Sequence, residues 1–205
     1  MPYRKTPFLI ILSAPSGGGK STILNEILKD NNQIEYSVSY TTRPPRGYEQ
    51  NGIHYNFVSR EAFEQMIKAG DFLEHAQFAG HYYGTSISYI QSRLAQGKHV
   101  IMDIDVQGAA QISSKDIPYV KIFLMPPSLK ILKERLINRK TDSPEEIEKR
   151  LQIARTEIQS IPLYDYLVIN DRLDIAVDDV RAIIRAEENR VDRYSLPETE
   201  FLKEQ

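Results

Sequence analysis

The sequence predicts an α/β fold: an open parallel sheet flanked by helices, built around a phosphate-binding loop and carrying a small mixed β insertion and a pair of charged helices. Three observations predict it. Short, continuously apolar runs recur along the 205 residues, helical patterns alternate with them, and a glycine-rich segment joins the first run to the first helix. Strands covered on both faces read as unbroken apolar runs. Alternating strand and helix patterns build a parallel sheet.

The elements follow in chain order. Phe8–Leu12 reads as the first buried strand. Arg4-Lys5 ahead of it gives a superficial likeness to a secretion signal, but the apolar run is shorter than the ~7–15 residues such a segment needs. Ile23, Leu24, Ile27 and Leu28 form one face of a helix directly after the glycine loop. Residues 36–88 break the alternation. They are rich in Tyr, Thr, Gly and Pro, and the pieces Tyr36–Tyr40, Ile53–Val58 and Glu74–Phe78 read as strands of a mixed β insertion. Ile90, Leu94 and Ala95 mark a helix before Gly97, and Val100–Ile104 and Val120–Met125 are the next buried strands.

Residues 129–159 read as two strongly charged helices joined at Lys140–Ser143. The second is well marked, with Ser143 as N-cap, Pro144 at the first helical position and Glu146 completing a capping box. Tyr166–Ile169 is the fourth core strand, and Ile175, Val177, Val180, Ile183 and Ile184 give the last core helix. The tail after Arg190 is polar and is expected to fray. The chain thus divides into a core (1–35, 89–128 and 160–190), an insertion (36–88), a charged helical pair (129–159) and a tail (191–205).

Composition narrows the function classes. Hydrophobic residues at 41% and charged residues at 26% are an ordinary globular balance, and no segment approaches the ~20 apolar residues that span a bilayer. A formal charge of −2, with Lys and Arg spread along the chain, argues against nucleic acid or membrane partners. Anion binding must therefore come from local sites. The absence of cysteine excludes disulfides, thiolate metal sites and Cys nucleophiles, and fits a cytoplasmic compartment. His54, His75, His81 and His99 show no metal-ligand spacing. Homo-oligomerisation is left open.

Ala14-Pro15-Ser16-Gly17-Gly18-Gly19-Lys20-Ser21 lies between the first strand and the first helix and matches the phosphate-loop pattern, with Ala14 where the first Gly is usual. Glycines let successive backbone N–H groups approach phosphate oxygens without a Cβ clash. The helix starting near Lys20 adds its positive end. Lys20 is expected to reach the β- and γ-phosphates of a nucleoside triphosphate, the Ser21 hydroxyl to ligand Mg²⁺, and Thr22 to complete the loop. Asp103 and Asp105 end a second strand. Strand C-termini in a parallel sheet share an edge with the loop, so these carboxylates are expected to face the nucleotide.

The most specific stretch is Thr41-Thr42-Arg43-Pro44-Pro45-Arg46, continuing through Gly52 and Tyr55 to Val58. Two arginines three apart on a stiff Pro-Pro segment make a pre-shaped anion site, and Tyr55 can add a hydroxyl donor. Arg135 and Arg139 lie one helical turn apart on the first charged helix. Arg150 sits on the next, beside the apolar stripe Ile147, Leu151, Ala154 and Ile158.

With these residues in view, the chain closely resembles the guanylate kinase family. Thr41–Val58 reproduces that family's signature, and the likeness extends to the phosphate loop, Asp103–Gly108, the lid and Asn170-Asp171, over about residues 8–190. The resemblance implies an enzyme of core, GMP-binding insertion and mobile lid that makes ADP and GDP from Mg-ATP and GMP, with dGMP as a further acceptor, in purine nucleotide metabolism. By matching positions, Ser39, Arg43, Arg46, Tyr55 and Tyr83 are implied to meet the phosphate or sugar side of GMP. Glu74, Thr85 and Asp105 are implied to read guanine, with Thr85 standing where Ser is common.

Arg135, Arg139 and Arg150 match lid positions that close over the triphosphate, and Asn170 a position that touches adenine. Lys20, Arg43, Arg135, Arg139, Arg150 and Asp103 are the implied catalytic set. Lys140 stands where the family frequently has Gly, which implies a stiffer hinge.

Base selectivity has a physical basis. Guanine presents N1–H and its 2-amino group side by side, two donors matched to one carboxylate. Adenine offers a lone pair and a C–H there and would leave the Glu74 carboxylate unsatisfied, at a cost of ~1–3 kcal/mol or more. The competing reading is a non-catalytic, guanylate-kinase-like module that binds phosphopeptides. It would tolerate loss of Gly19-Lys20-Ser21 and the lid arginines, and these are present. A GTPase is weaker still, since no Asn-Lys-x-Asp guanine loop occurs.

Overall fold

The computed structural model describes residues 4–29, 31–78, 80–113, 117–138 and 142–194. In chain order the elements are β1 (Leu9–Ser13), α1 (Lys20–Lys29), β2 (Ile34–Tyr36), β3 (Tyr40–Thr41), β4 (Asn56–Phe57), α2 (Arg60–Ala69), β5 (Phe72–Phe78) and β6 (His81–Ser86). There follow α3 (Ile87–Ala95), β7 (His99–Asp103), α4 (Val106–Gln111), β8 (Tyr119–Met125), α5 (Leu129–Asn138), α6 (Pro144–Glu157), β9 (Tyr166–Ile169) and α7 (Leu173–Glu188). Among the described residues, no helix is long and apolar enough to cross a membrane.

The main sheet has the order β2-β7-β1-β8-β9, and each neighbouring pair runs parallel. β1 is central and buried throughout, with Leu9 aligned to Val100 on one side and Tyr119 on the other. The pleat sends alternate residues to opposite faces. Ile10 and Leu12 meet Ile23, Ile27, Val180 and Ile184 from α1 and α7, while Leu9 and Ile11 meet Ile90, Ala109 and Ile112 on the α3–α4 side. Two apolar layers on one parallel sheet explain why its strands are continuously hydrophobic. All five strand C-termini share one edge, where α/β folds bind ligands.

The predicted fold class is thus the observed one, with four corrections. Tyr36–Tyr40 is not one strand: Ile34–Tyr36 pairs with β7 at the edge of the main sheet, and Tyr40–Thr41 joins the second. That second, four-stranded sheet has the order β4-β3-β6-β5, in which β3 and β4 are parallel and the other pairs antiparallel. Ile53–Val58 contributes only the short strand Asn56–Phe57.

The stretch between the strands of this sheet also holds a helix that the sequence reading missed. In α2, Ser59 caps the first turn by accepting from the Ala62 N–H at 3.1 Å, and Gly70 ends the helix in the left-handed region. Phe63 is its buried anchor, stacked on Phe72 at 4.3 Å.

The third correction concerns the end of the chain. Val191–Arg193 forms a 3-10 turn, Arg193 is buried over the Phe8 ring at 4.8 Å, and Tyr194 bridges to Lys5. The pairing of Arg193 with Glu187 at 3.3 Å satisfies the buried charge. Fourth, Ile175, expected on the core face of α7, is largely exposed, while Ala176, Val177, Val180 and Ile184 make the contact.

Helices α5 and α6 share an apolar seam of Leu132, Leu136, Ile147, Leu151 and Ala154. The capping box is formed as the sequence predicts: Ser143 Oγ accepts from the Glu146 N–H, and the Glu146 carboxylate accepts from the Ser143 N–H at 2.8 Å. Arg139 and Lys140 lie outside the described residues.

Candidate active site

β1 delivers the chain into the glycine loop, whose Gly17 and Gly19 hold φ of 91° and 90°. Only glycine takes such values without strain. A side chain would also crowd its neighbours: a Cβ on Gly17 would lie 2.8 Å from the end of the Leu136 side chain, and one on Gly19 2.3 Å from Asn170 Nδ2, which would have to move. The loop ends where α1 begins, so Lys20 and Ser21 occupy its first turn. There the unpaired N–H groups and the helix dipole favour anions. Lys20 Nζ donates to the Ile104 carbonyl at 3.1 Å and lies 3.8 Å from the Asp103 carboxylate.

Asp103 ends β7 and accepts from the Tyr36 hydroxyl at 2.6 Å. Burial, together with the Asp103 charge, pushes the Tyr36 hydroxyl well above its ordinary pKa, so it stays a donor. Asp105 caps α4, accepting from the Gly108 N–H at 2.8 Å. Its carboxylate therefore has a structural duty that the sequence reading did not assign.

Facing this edge is the second sheet. Glu74 on β5 is buried, and its Oε1 accepts from the fully buried Thr85 hydroxyl at 2.7 Å. A Cβ on Gly108 would lie 2.9 Å from Glu74 Oε2, so glycine in α4 is what admits the acid. Burial raises the Glu74 pKa, the Thr85 hydrogen bond opposes that shift, and Asp105 adds to it. Arg43 is buried as well. It grips Glu49 with both guanidinium arms, at 2.8 and 2.9 Å, and lies over the rings of Tyr55 and Phe57. The Arg43 bond, followed by the Arg46 backbone N–H, lowers the Glu49 pKa to about 2.

One cavity of about 510 Å³ joins the two sides. Lys20, Ser21, Asp103 and Asp105 line it from the main sheet, and Ser39, Arg43, Arg46, Tyr55, Glu74 and Tyr83 from the second. Thr85 stands behind Glu74, outside the lining. Tyr36, Ala76, Gly84 and Ile104 also line it and were not singled out in the sequence. Tyr36 closes β2 and so falls on the ligand edge of the sheet, but the sequence reading placed it at the start of a strand. Glu49 was missed too, because spacing within a loop does not fix which charges meet.

Other expected residues lie apart from this cavity. Ala14 is buried, Thr22 is exposed, and neither lines it; nor do Pro15, Ser16, Gly17, Gly18 and Gly19. Arg135 donates to the Asn170 carbonyl at 2.8 Å, Arg150 pairs with Asp142 at 3.2 Å, and Asn170 donates through its side chain to the Gly18 carbonyl at 2.7 Å. Among the described residues, no cluster of three or more His, Cys, Asp or Glu is suited to holding a metal. A phosphate-bound Mg²⁺ fits this donor set, since that ion keeps several waters and takes few protein oxygens. The Ser21 hydroxyl at the cavity wall offers one.

Comparison with known proteins agrees with this architecture. The sequence profile of the family described as Guanylate kinase matches residues 6–187. The guanylate kinase of Streptococcus agalactiae serotype III is 47% identical over 197 residues, which cover 96% of this chain and 94% of that protein. That of Enterococcus faecalis is 48% identical over 186 residues, or 90% and 91% of the two chains. The crystal structure of guanylate kinase from Anaplasma phagocytophilum superposes with a TM-score of 0.78 at 30% identity, covering 96% of this chain and 94% of that one.

Proposed function

The chain belongs to the guanylate kinase family and is an ATP:GMP phosphotransferase, and from that premise we propose which residues carry each part of the reaction. ATP lies with its phosphates over Ala14–Thr22, and Lys20 engages the β- and γ-phosphates. GMP lies across the cavity. Its phosphate meets Arg43, Arg46, Tyr55 and Tyr83, with Ser39 beside it, and Glu74 and Asp105 face its guanine, with Thr85 holding Glu74 from behind rather than reading the base itself. An oxygen of the GMP phosphate attacks the γ-phosphorus, the bond to the β-phosphate bridging oxygen breaks, and ADP and GDP result. The transition state is loose and highly charged, so positioning and positive charge do most of the work.

Ser21 would help hold a bound Mg²⁺, which would supply positive charge to the triphosphate. Asp103, 3.8 Å from Lys20 Nζ, orients that lysine. Arg135, Arg139 and Arg150 come from the lid, taken as residues 129–159, and its closure excludes water. Residues 36–88 act as the acceptor-binding insertion. The base and phosphate contacts leave the 2′-hydroxyl unread, so dGMP is expected to serve as a second acceptor.

The observation that carries this reading is the single cavity with Lys20 and Ser21 on one wall and Arg43, Arg46 and Glu74 on the other. A coupled ADP-release assay with GMP, dGMP, AMP, CMP and UMP tests it. GMP and dGMP are expected to be turned over and the other three rejected by 10²-fold or more. Lys20→Ala is expected to abolish turnover with the fold retained, and wild-type turnover in that variant would remove Lys20 from the mechanism.

A further inference from the structure

Asn170 follows β9 and is 5% exposed. Its backbone N–H donates to the Met125 carbonyl at 2.8 Å, which fixes it against β8. Its side-chain Nδ2 donates to the Gly18 carbonyl at 2.7 Å, with the loop so close that only a glycine fits at position 19. The carbonyl and N–H of one trans peptide point in opposite directions. Tying the Gly18 carbonyl to Asn170 therefore aims the Gly19 N–H away from Asn170.

On its other side, Arg135 Nη2 donates to the Asn170 carbonyl at 2.8 Å and to the Asp171 carbonyl at 3.4 Å. Arg135 Nη1 is buried, with no hydrogen-bond partner among the described residues. The neighbouring Leu136, with Leu132, fills the space over Gly17. The phosphate loop and α5 thus meet through one amide side chain and one backbone carbonyl of the same residue.

We propose that Asn170 is a positioning residue for phosphoryl transfer, which sets the orientation of the Gly18–Gly19 peptide and links it to Arg135. This departs from the adenine contact that the family resemblance implies, and it rests on the phosphate-loop reading given above. Removing the amide leaves a buried carbonyl unpaired and frees the peptide to rotate. The loss then falls on every ligand that uses the loop, whatever its base.

Calorimetric titration of the full chain with ATP, inorganic tripolyphosphate and GMP tests this. Asn170→Ala is expected to weaken ATP and tripolyphosphate alike, by about tenfold, while GMP stays within about twofold. In turnover, KM for ATP rises and KM for GMP does not. Loss of ATP affinity with tripolyphosphate unchanged would make Asn170 a base contact and overturn the proposal, and so would no loss at all.

Should Asn170→Ala also lose GMP through misfolding, the wild-type protein decides. The Asn170 side-chain amide resonances are expected to shift on adding tripolyphosphate, and unmoved resonances overturn the proposal. Lys20→Ala is run in parallel. Undiminished tripolyphosphate binding in that variant would instead remove the phosphate-loop reading beneath the proposal.

Discussion

Glu74 is held nearly out of water, with one oxygen on the Thr85 hydroxyl and the other against Gly108. A carboxylate so placed is costly in the free protein. Its pKa is raised in the fold, so the folded state binds its proton more readily than the unfolded chain does, and stability falls as pH rises above the unfolded value near 4.5. Glu74→Gln is therefore expected to unfold at a higher temperature than wild type at pH 7. The gain should be on the order of 0.5–2 kcal/mol and should vanish below pH 4.5. The same variant should lose GMP affinity by about 10²-fold with ATP affinity unchanged. A parallel loss of both ligands would count against base reading. From the residues alone, Glu74 reads as an exposed acid on a strand edge, and family likeness was needed to single it out. Arg43 was legible as an anion site, but its resting partner Glu49 was not. Residues 44–48 separate the two, ending in a turn where the Glu49 N–H donates to the Arg46 carbonyl, and no periodicity brings them together.

Elements were legible where local chemistry decides them. The capping box of α6 is written into Ser143, Pro144 and Glu146, and it forms as read. Ser143→Ala is expected to lower stability by about 1 kcal/mol, measured by thermal unfolding, with GMP affinity unchanged because α6 contributes nothing to the cavity lining. Helix α2 carried the same kind of signal in Ser59 and Gly70, but the surrounding Tyr, Thr and Pro residues weighted the stretch towards strand. Strand β2 is short, and its place beside β7 depends on a long-range pairing that three residues cannot announce. Arg193 reads as solvated tail because charge usually means exposure. Burial over Phe8, with Glu187 as partner, is a tertiary decision.

At the scale of the molecule, the parallel sheet and its ligand edge followed from the apolar runs, since a strand buried on both faces leaves no other pattern. The way two sheets enclose one cavity was not legible, because it depends on how β5 packs over α4. Two ligands that bind opposite walls should each stabilise the fold independently. At a concentration of 100 times its Kd, either is expected to add about 2.7 kcal/mol, which is several degrees in Tm. Differential scanning calorimetry of Lys20→Ala should keep the GMP shift and lose the ATP shift. Loss of both would mean that the two walls do not act separately. In the free protein three of the site's cations are already engaged: Lys20 rests on the Ile104 carbonyl, Arg43 on Glu49, and Arg135 on the Asn170 carbonyl. Glu49 is thus an internal counter-ion for Arg43, while Lys20 and Arg135 rest on backbone dipoles. A nucleotide bringing several anionic oxygens together can displace these internal partners in concert. A lone small anion could replace only one of them at a time.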